Sequence, residues 1–465
     1  MTPTTYRDWP FQPHDRRYRE EQAAWWRTCR VTGPLDRRLA GSEGWTIISG
    51  GPGSGKSTAL LGLVAATHDG GLQVEYPPTR WPGAAGARLP DDPRHLAQMI
   101  TAAGWAIYEL LEREPQRAAA LGPLQRELFR ALIERAGPEG RRQYDHLTRL
   151  FGDEEDAFRA VVVPDDMRQL AETRHELELQ AKDVVWLARD LGLARVIFTF
   201  DLASDQPFDE ASVAELYSGL DLLGSRDFIV VAAVPDRALA RLRMVSTGRG
   251  RVDSVVCEWS EADCRRMAAR HLCAALGHEP DDEAMGGFAH PQLLAAAGAA
   301  IAAEYGRPTP AGWVDLAETL LHLIHRPSGA LRPPLGPDDA PALLSAFYAR
   351  HFSLRLDPDP DVQGIWRGPR FIPLDDQPFR FIRLLVARRD TYINYGDDPD
   401  LRSLAGSPNN VNTLAARARK AIEPLARPYV YLLNDRGLGG YCLVNVDPAS
   451  PTDTRQIGDR MTSRI

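Results

Sequence analysis

An α/β fold with a mostly parallel sheet is predicted for the first half of this chain, followed by an all-α unit and a smaller α+β module at its C-terminal end. Three observations predict it. Short apolar, β-branched runs alternate with stretches at helical spacing between Trp45 and Val234. The first of those runs leads directly into a glycine-rich loop and then an apolar helical stretch. Beyond Trp259 the strand-like runs give way to helical spacing as far as His325.

The elements follow in order. Trp45-Thr46-Ile47-Ile48 reads as a buried strand, and Ala59-Leu60-Leu61-Gly62-Leu63-Val64 as a helix packed on the sheet. Between them Gly50-Gly51-Pro52-Gly53-Ser54-Gly55-Lys56-Ser57 fits the phosphate-binding pattern G-x-x-x-x-G-K-[ST], with Thr58 next. In such a loop glycines let successive N–H groups turn inward around phosphate oxygens, and the new helix points its positive end at them. Lys56 is then expected to reach the terminal phosphates, and the Ser57 hydroxyl to hold Mg²⁺. Lysine occurs only at Lys56, Lys182 and Lys420 in an arginine-rich chain. Its retention in the loop fits a site where a compact ammonium passes between phosphates and a planar guanidinium does not. ATP with Mg²⁺ is the ligand this pattern predicts.

Leu72 to Tyr76 is a second strand, and Pro93 to Asp190 reads as helical. Val196-Ile197-Phe198-Thr199-Phe200 is a third strand that ends at Asp201, the acid expected to hold Mg²⁺ through water. Phe228 to Val234 is a fourth, stopping at Pro235. A water-activating base is harder to find. Leu202 follows Asp201 directly, and Asp205 and Glu75 are the acids nearby, neither in a motif. Nucleotide binding is therefore expected, with hydrolysis slow, partner-dependent or absent.

Helices are predicted over Glu261–Leu276, Pro291–Tyr305 and Trp313–His325, then a Pro/Gly-rich linker and a helix from Pro341 to Phe352. The resulting plan has a helical lead-in over 1–44, containing an amphipathic stretch from Arg16 to Arg30 with Trp25 and Trp26. The α/β domain occupies 45–259, the helical unit 260–325, linker and helix 326–353, the C-terminal module 354–446, and a loose tail 447–465.

Bulk properties bound the function. At 465 residues two to four domains are expected, and 44% hydrophobic with 25% charged residues describes a soluble globular protein. A net charge of −8 argues against coating nucleic acid nonspecifically, while admitting one basic module. No apolar run is long enough to span a bilayer and Met1-Thr2-Pro3-Thr4-Thr5 opens no signal peptide, so a cytoplasmic location without membrane contact is expected. The 5 cysteines form no C-x-x-C pair, which disfavours zinc and a disulfide framework.

The order of pieces resembles STAND and AAA+ P-loop NTPases: phosphate loop, acid-ended strand, a further strand, then a helical lid. Val255-Val256-Cys257-Glu258-Trp259-Ser260-Glu261 is similar to the strand and helix start that open such lids. Ala289-His290-Pro291 resembles the G-x-P signature of STAND lids, with Ala289 in place of glycine. The resemblance implies nucleotide contact by His290 and phosphate neutralisation by Arg249 or Arg251, in a stretch that also carries Arg241 and Arg243.

The last module resembles the OmpR/PhoB-type winged helix-turn-helix. Phe371 to Leu385 is similar to that family's strand, turn and first helix, Val411 to Glu423 to its recognition helix, and Arg436-Gly437-Leu438-Gly439-Gly440-Tyr441 to its wing. Val411, Ala415, Ala418, Ile422 and Leu425 recur at helical spacing and are expected to face the core. Asn412, Thr413, Arg417 and Lys420 then face outward, where Leu414 and Ala416 are also expected; Arg436 lies in the wing. Basic residues outnumber acidic ones from Gln377 to Asn445. Phosphate contacts would supply affinity, and Asn412 or Arg417 would read base edges.

Together these resemblances imply an ATP-dependent switch whose nucleotide state changes how a DNA-binding winged helix is presented or how subunits associate, as in bacterial signalling, transcription regulation or antiviral defence. The sequence carries no nuclease, protease or NADase signature, so an effector or sensor would be a separate chain. Two alternatives share these features: a DNA-remodelling or loading ATPase, and an ATPase subunit whose winged helix docks protein.

Overall fold

The computed structural model describes residues 28–31, 34–40, 44–67, 70–76, 94–135, 140, 142–144, 146, 174–201, 228–236, 252–325, 334–357, 359, 361–435 and 440–447. The chain divides into two units, Thr32–Glu258 and Met1–Val31 with Trp259–Ile465.

In the first unit α1 (Pro34–Ala40) precedes β1 (Trp45–Gly50), α2 (Lys56–Thr67) and β2 (Gly71–Tyr76). Helices α3 (Arg94–Arg113), α4 (Pro115–Ala120), α5 (Pro123–Glu134) and α6 (Arg174–Asp190) lead to β3 (Arg195–Asp201), β4 (Phe228–Pro235) and β5 (Val252–Val256). All pairings are parallel, in the order β2-β3-β4-β1-β5. The stretch after Arg251 that resembles a lid-opening strand is thus the sheet's edge strand, beside β1.

Strand order explains the layering. The crossover from β1 to β2 runs across the sheet in the opposite direction to those from β2 to β3 and β3 to β4. Right-handed crossovers in opposite directions place their helices on opposite faces. Accordingly Leu72, Val74, Val196, Phe198, Phe200, Val230 and Ala232 share a core with Met99, Ile107, Phe129 and Leu187 of α3, α5 and α6. On the other face α2 buries Ala59, Leu60 and Leu63 against β1, β3 and β4. Burial on both sides is why these strands read as nearly continuous apolar runs. Thr199, the polar interruption in β3, is absorbed by a 3.5 Å hydrogen bond from its Oγ1 to the Val74 carbonyl.

The second unit opens with α7 (Glu261–Leu276), capped by Ser260, whose hydroxyl accepts from the Asp263 N–H, and closed by Gly277 at φ 72°. Next come α8 (Met285–Phe288), α9 (Pro291–Tyr305), α10 (Pro310–Ile324) and α11 (Ala340–His351). An antiparallel sheet of β6 (Leu354–Leu356), β7 (Gly364–Arg367) and β8 (Arg370–Pro373) follows. Helices α12 (Asp376–Ala387), α13 (Pro399–Ala405) and α14 (Pro408–Ile422) and the hairpin β9 (Leu432–Asp435)–β10 (Gly440–Leu443) complete it. Helices α7–α11 and the C-terminal module share one apolar core, in which Ile301, Trp313 and Leu316 join Phe347, Phe352, Ile365, Phe381 and Ile422. The amino-terminal segment 28–31 belongs here too: Cys29 is fully buried, Arg270 Nη1 donates to the Arg30 carbonyl at 2.7 Å, and the Arg30 guanidinium lies 5.4 Å from the Trp259 ring. Trp25 and Trp26 lie outside the described residues. Among the described residues no helix is long and apolar enough to cross a membrane.

Candidate functional site

The glycine-rich loop leaves the carboxyl end of β1 and runs into α2. Its curvature rests on Gly53 and Gly55, at φ 70° and 85°, a region that costs an L-residue with a Cβ roughly 1–2 kcal/mol. Gly50 is required for a different reason. A Cβ there would lie 2.5 Å from Ser54 Oγ and 3.3 Å from Cys257 Cβ, so the loop turns only because that space is empty. The Ser54 N–H closes the turn onto the Gly51 carbonyl at 3.3 Å, and Ala59 N–H to Gly55 O, 2.9 Å, is the first helical bond. Helix geometry supplies no intrahelical acceptor for the N–H groups ahead of that bond, and the macrodipole adds partial positive charge at the same end.

Lys56 folds its ammonium back over the loop, donating to the carbonyls of Gly50 at 2.8 Å and Gly51 at 3.0 Å. Pro52 and Ser57 are exposed, Thr58 is half-buried and Ser54 is buried. Cys257, the residue after β5, underpins the loop. Its N–H donates to Ser49 O at 2.7 Å and its thiol to Ser54 O at 2.9 Å. Nothing in the sequence marked Cys257 as a support of the loop, because its partner lies 203 positions away.

Asp201 ends β3 on the same edge. It pairs with Ala233, which pairs in turn with Ile48, so one strand separates Asp201 from β1. Two strand spacings put the backbones roughly 10 Å apart. Phe198 and Phe200 point into the core under α3–α6, so Thr199 and Asp201 alternate onto the face that α2 covers. Asp201 therefore shares both edge and face with the start of α2, which carries Ser57. Glu75, paired with Thr199, lies one strand further out and two residues short of that row. Leu202, Asp205, Arg241, Arg243, Arg249 and Arg251 lie outside the described residues.

The donor set fits a polyphosphate with a hard cation. It offers backbone N–H groups, one ammonium, one hydroxyl and one carboxylate, with oxygen donors for Mg²⁺. Among the described residues no group of three or more His, Cys, Asp or Glu side chains is arranged to hold a metal on its own. A cation here would rely on Ser57, on Asp201 through water, and on the ligand's own oxygens.

His290 belongs to the second unit, where it caps α9: its Nδ1 accepts from the Gln292 N–H at 3.2 Å, and its own N–H donates to Leu335 O at 2.9 Å.

The second candidate surface is α14. Ser407 caps it by accepting from the Asn410 N–H. Val411, Ala415, Ala418 and Ile422 are buried as the spacing predicts, and Leu425 is partly buried. Leu414 is buried as well, at 4% exposure, so the outward face loses one apolar residue expected there. Asn412, Thr413, Ala416, Arg417 and Lys420 are exposed. The basic cluster at its end is divided: Arg419 Nε and Nη2 donate to the Leu432 carbonyl at 3.0 and 2.9 Å while its guanidinium stacks 4.2 Å from the Tyr429 ring. Arg419 is thus a strut to the hairpin, and Arg417 and Lys420 remain as the outward charges. Asn412 is also tied to the hairpin, its Oδ1 accepting from the Tyr441 hydroxyl at 2.7 Å. Arg436 lies outside the described residues.

Comparison with protein-family models and with curated protein sequences returned no match.

Proposed function

We propose that this chain is a P-loop ATP-binding switch of STAND/AAA+ type whose nucleotide state governs a winged-helix DNA-binding module. One observation carries most weight: the glycine loop at the carboxyl edge of a parallel sheet, beside the strand where the crossover direction reverses, with Lys56 over it and Asp201 on the same face. Open α/β sheets bind ligands at such a switch point. Gly50 to Thr58 would cradle the phosphates of ATP, and Ser57 with Asp201 would hold Mg²⁺. His290 is the residue the lid resemblance assigns to nucleotide sensing. Binding, with hydrolysis secondary, remains the activity proposed.

Asn412, Thr413, Arg417 and Lys420 on α14, with Arg436 in the wing, would make the DNA contacts. The fixed Asn412 narrows the roles. With its Oδ1 already accepting from Tyr441, Arg417 is the better reader of base edges, and Lys420 the better phosphate contact. The separation of Arg419 from this face leaves a compact two-charge patch.

Mobility shifts on random and promoter duplexes, with and without ATP, separate this reading from its rivals. Sequence-specific binding supports a regulator, length-dependent binding that requires ATP supports a loader, and no binding at low salt supports protein docking. Replacing Lys420→Ala is expected to lower the salt slope of log K by about 1, since a phosphate contact contributes roughly 0.9, and Arg417→Ala to relax the sequence preference. An unchanged slope would remove DNA contact from α14.

A further inference from the structure

Cys257 follows β5 in the register that pairs Val256 with Ser49, so the next step sets it level with Gly50. Its N–H extends the ladder to the Ser49 carbonyl at 2.7 Å. Side chains alternate along the strand: Val255 is buried, Val256 is 43% exposed and Cys257 is buried again. The neighbour across the ladder is a glycine, and that gives the thiol its room. A Cβ on Gly50 would stand 3.3 Å from Cys257 Cβ and 2.5 Å from Ser54 Oγ. Beside the space that Gly50 leaves open, Cys257 Sγ donates to the Ser54 carbonyl at 2.9 Å.

That bond fixes more than one oxygen. A peptide unit is planar and trans, so its C=O and the following N–H point in opposite directions. With the Ser54 carbonyl turned toward Cys257, the Gly55 N–H points away from it. Gly55, at φ 85°, then leads into Lys56, the first residue of α2. Two other loop carbonyls, those of Gly50 and Gly51, are held from a different direction by Lys56 Nζ. A thiol is a weak hydrogen-bond donor, and one buried as Cys257 is does not serve as a nucleophile. What it supplies to the loop is direction.

We infer that Cys257 is a positioning residue for the nucleotide: its thiol aims the Gly55 N–H at a phosphate, and bound nucleotide in turn slows the loop opening that exposes the thiol. The inference rests on the nucleotide-binding reading above and names a residue outside the glycine-rich pattern that tunes the same site. Donors already aligned lose less freedom when the ligand arrives, so the thiol acts on affinity more than on the fold. Linkage makes the effect reciprocal, which is why the reactivity of the thiol reports on the nucleotide.

The test is calorimetric titration of the full-length protein with ATP·Mg²⁺. Cys257→Ala, which removes the donor, is expected to bind about three- to tenfold more weakly than wild type, the span of one net hydrogen bond. Cys257→Ser, which keeps a donor on the same carbon, is expected to restore affinity to within about twofold of wild type. Melting temperatures of the two variants without nucleotide should agree, so that lost packing does not account for the difference. A folded Cys257→Ala with wild-type affinity, or a Cys257→Ser as weak as Cys257→Ala, overturns the positioning role and leaves nucleotide binding intact. If Cys257→Ala does not fold, wild-type protein decides the matter through iodoacetamide alkylation, followed residue by residue by mass spectrometry. ATP·Mg²⁺ is expected to slow capping of Cys257 at least about fivefold, the lower end of ordinary coupling. Cys29, Cys264, Cys273 and Cys442, all in the second unit, should keep their rates. An unchanged Cys257 rate, or equal slowing at every cysteine, overturns the role. Wild-type protein that binds no ATP overturns the nucleotide-binding reading and the positioning role with it.

Discussion

Gly53 and Gly55 show how much of the candidate site is backbone. Their left-handed conformations make the loop concave, and the Lys56 ammonium and Cys257 thiol bond to its carbonyls. Substituting Gly55→Ala is expected to cost about 1–2 kcal/mol in chemical denaturation and to weaken nucleotide binding, since φ 85° penalises a Cβ. Wild-type stability in that variant would mean that the loop has another conformation. The loop residues were legible in the sequence because their chemistry is local. Cys257 and Arg419 were not, because each works through a carbonyl distant along the chain or supplied by another element. An arginine in a basic cluster looks the same whether it faces solvent or, like Arg419, supports a hairpin.

At the scale of elements, the α10–α11 contact carries a pH dependence. Asp315, Glu318 and His322 of α10 face Arg350 and His351 of α11, with Tyr305 of α9 nearby. Burial, and then the Glu318 charge, raises the Asp315 carboxyl from 3.8 to about 7. Burial lowers His351 from 6.5 to about 4, against the opposing pull of Glu318. His351 Nε2 lies 3.0 Å from Thr319 Oγ1 and its Nδ1 3.7 Å from Asp315 Oδ1. The signs oppose. Asp315 binds its proton more tightly folded than unfolded, so its contribution is full below pH 3.8 and is lost as pH rises through about 7. His351 binds its proton less tightly folded, so its contribution is full above pH 6.5 and is lost as pH falls through about 4. Melting-temperature profiles should separate them. Relative to wild type, Asp315→Asn is expected to gain stability as pH rises toward about 7, and His351→Gln as pH falls toward about 4. Offsets that stay constant across that range would show that neither group titrates in this way. This arrangement was not legible in the sequence. The helices themselves were, from apolar spacing: α7 and α9 match the expected bounds and α11 lies within a residue, while α10 starts at Pro310 behind its Thr309 cap, ahead of the expected Trp313.

For the whole molecule, the parallel sheet and its helical faces followed from alternating apolar runs, while the strand order followed from nothing local. Only pairing across the chain places β4 between β1 and β3 and so sets Asp201 one strand removed from the loop. The continuity of the second unit was equally hidden. The Pro/Gly-rich stretch after His325 reads as a boundary, yet Trp313 before it and Phe347, Phe381 and Ile422 after it share one core. The account stands first on nucleotide occupying the glycine loop, which calorimetric titration of the full chain with ATP·Mg²⁺ tests directly. Saturable one-site binding is expected, weakened about a hundredfold or more by Lys56→Ala, in line with the loss of charge-assisted phosphate bonds, at an unchanged melting temperature. No heat of binding, or equal affinity in the folded variant, would contradict it.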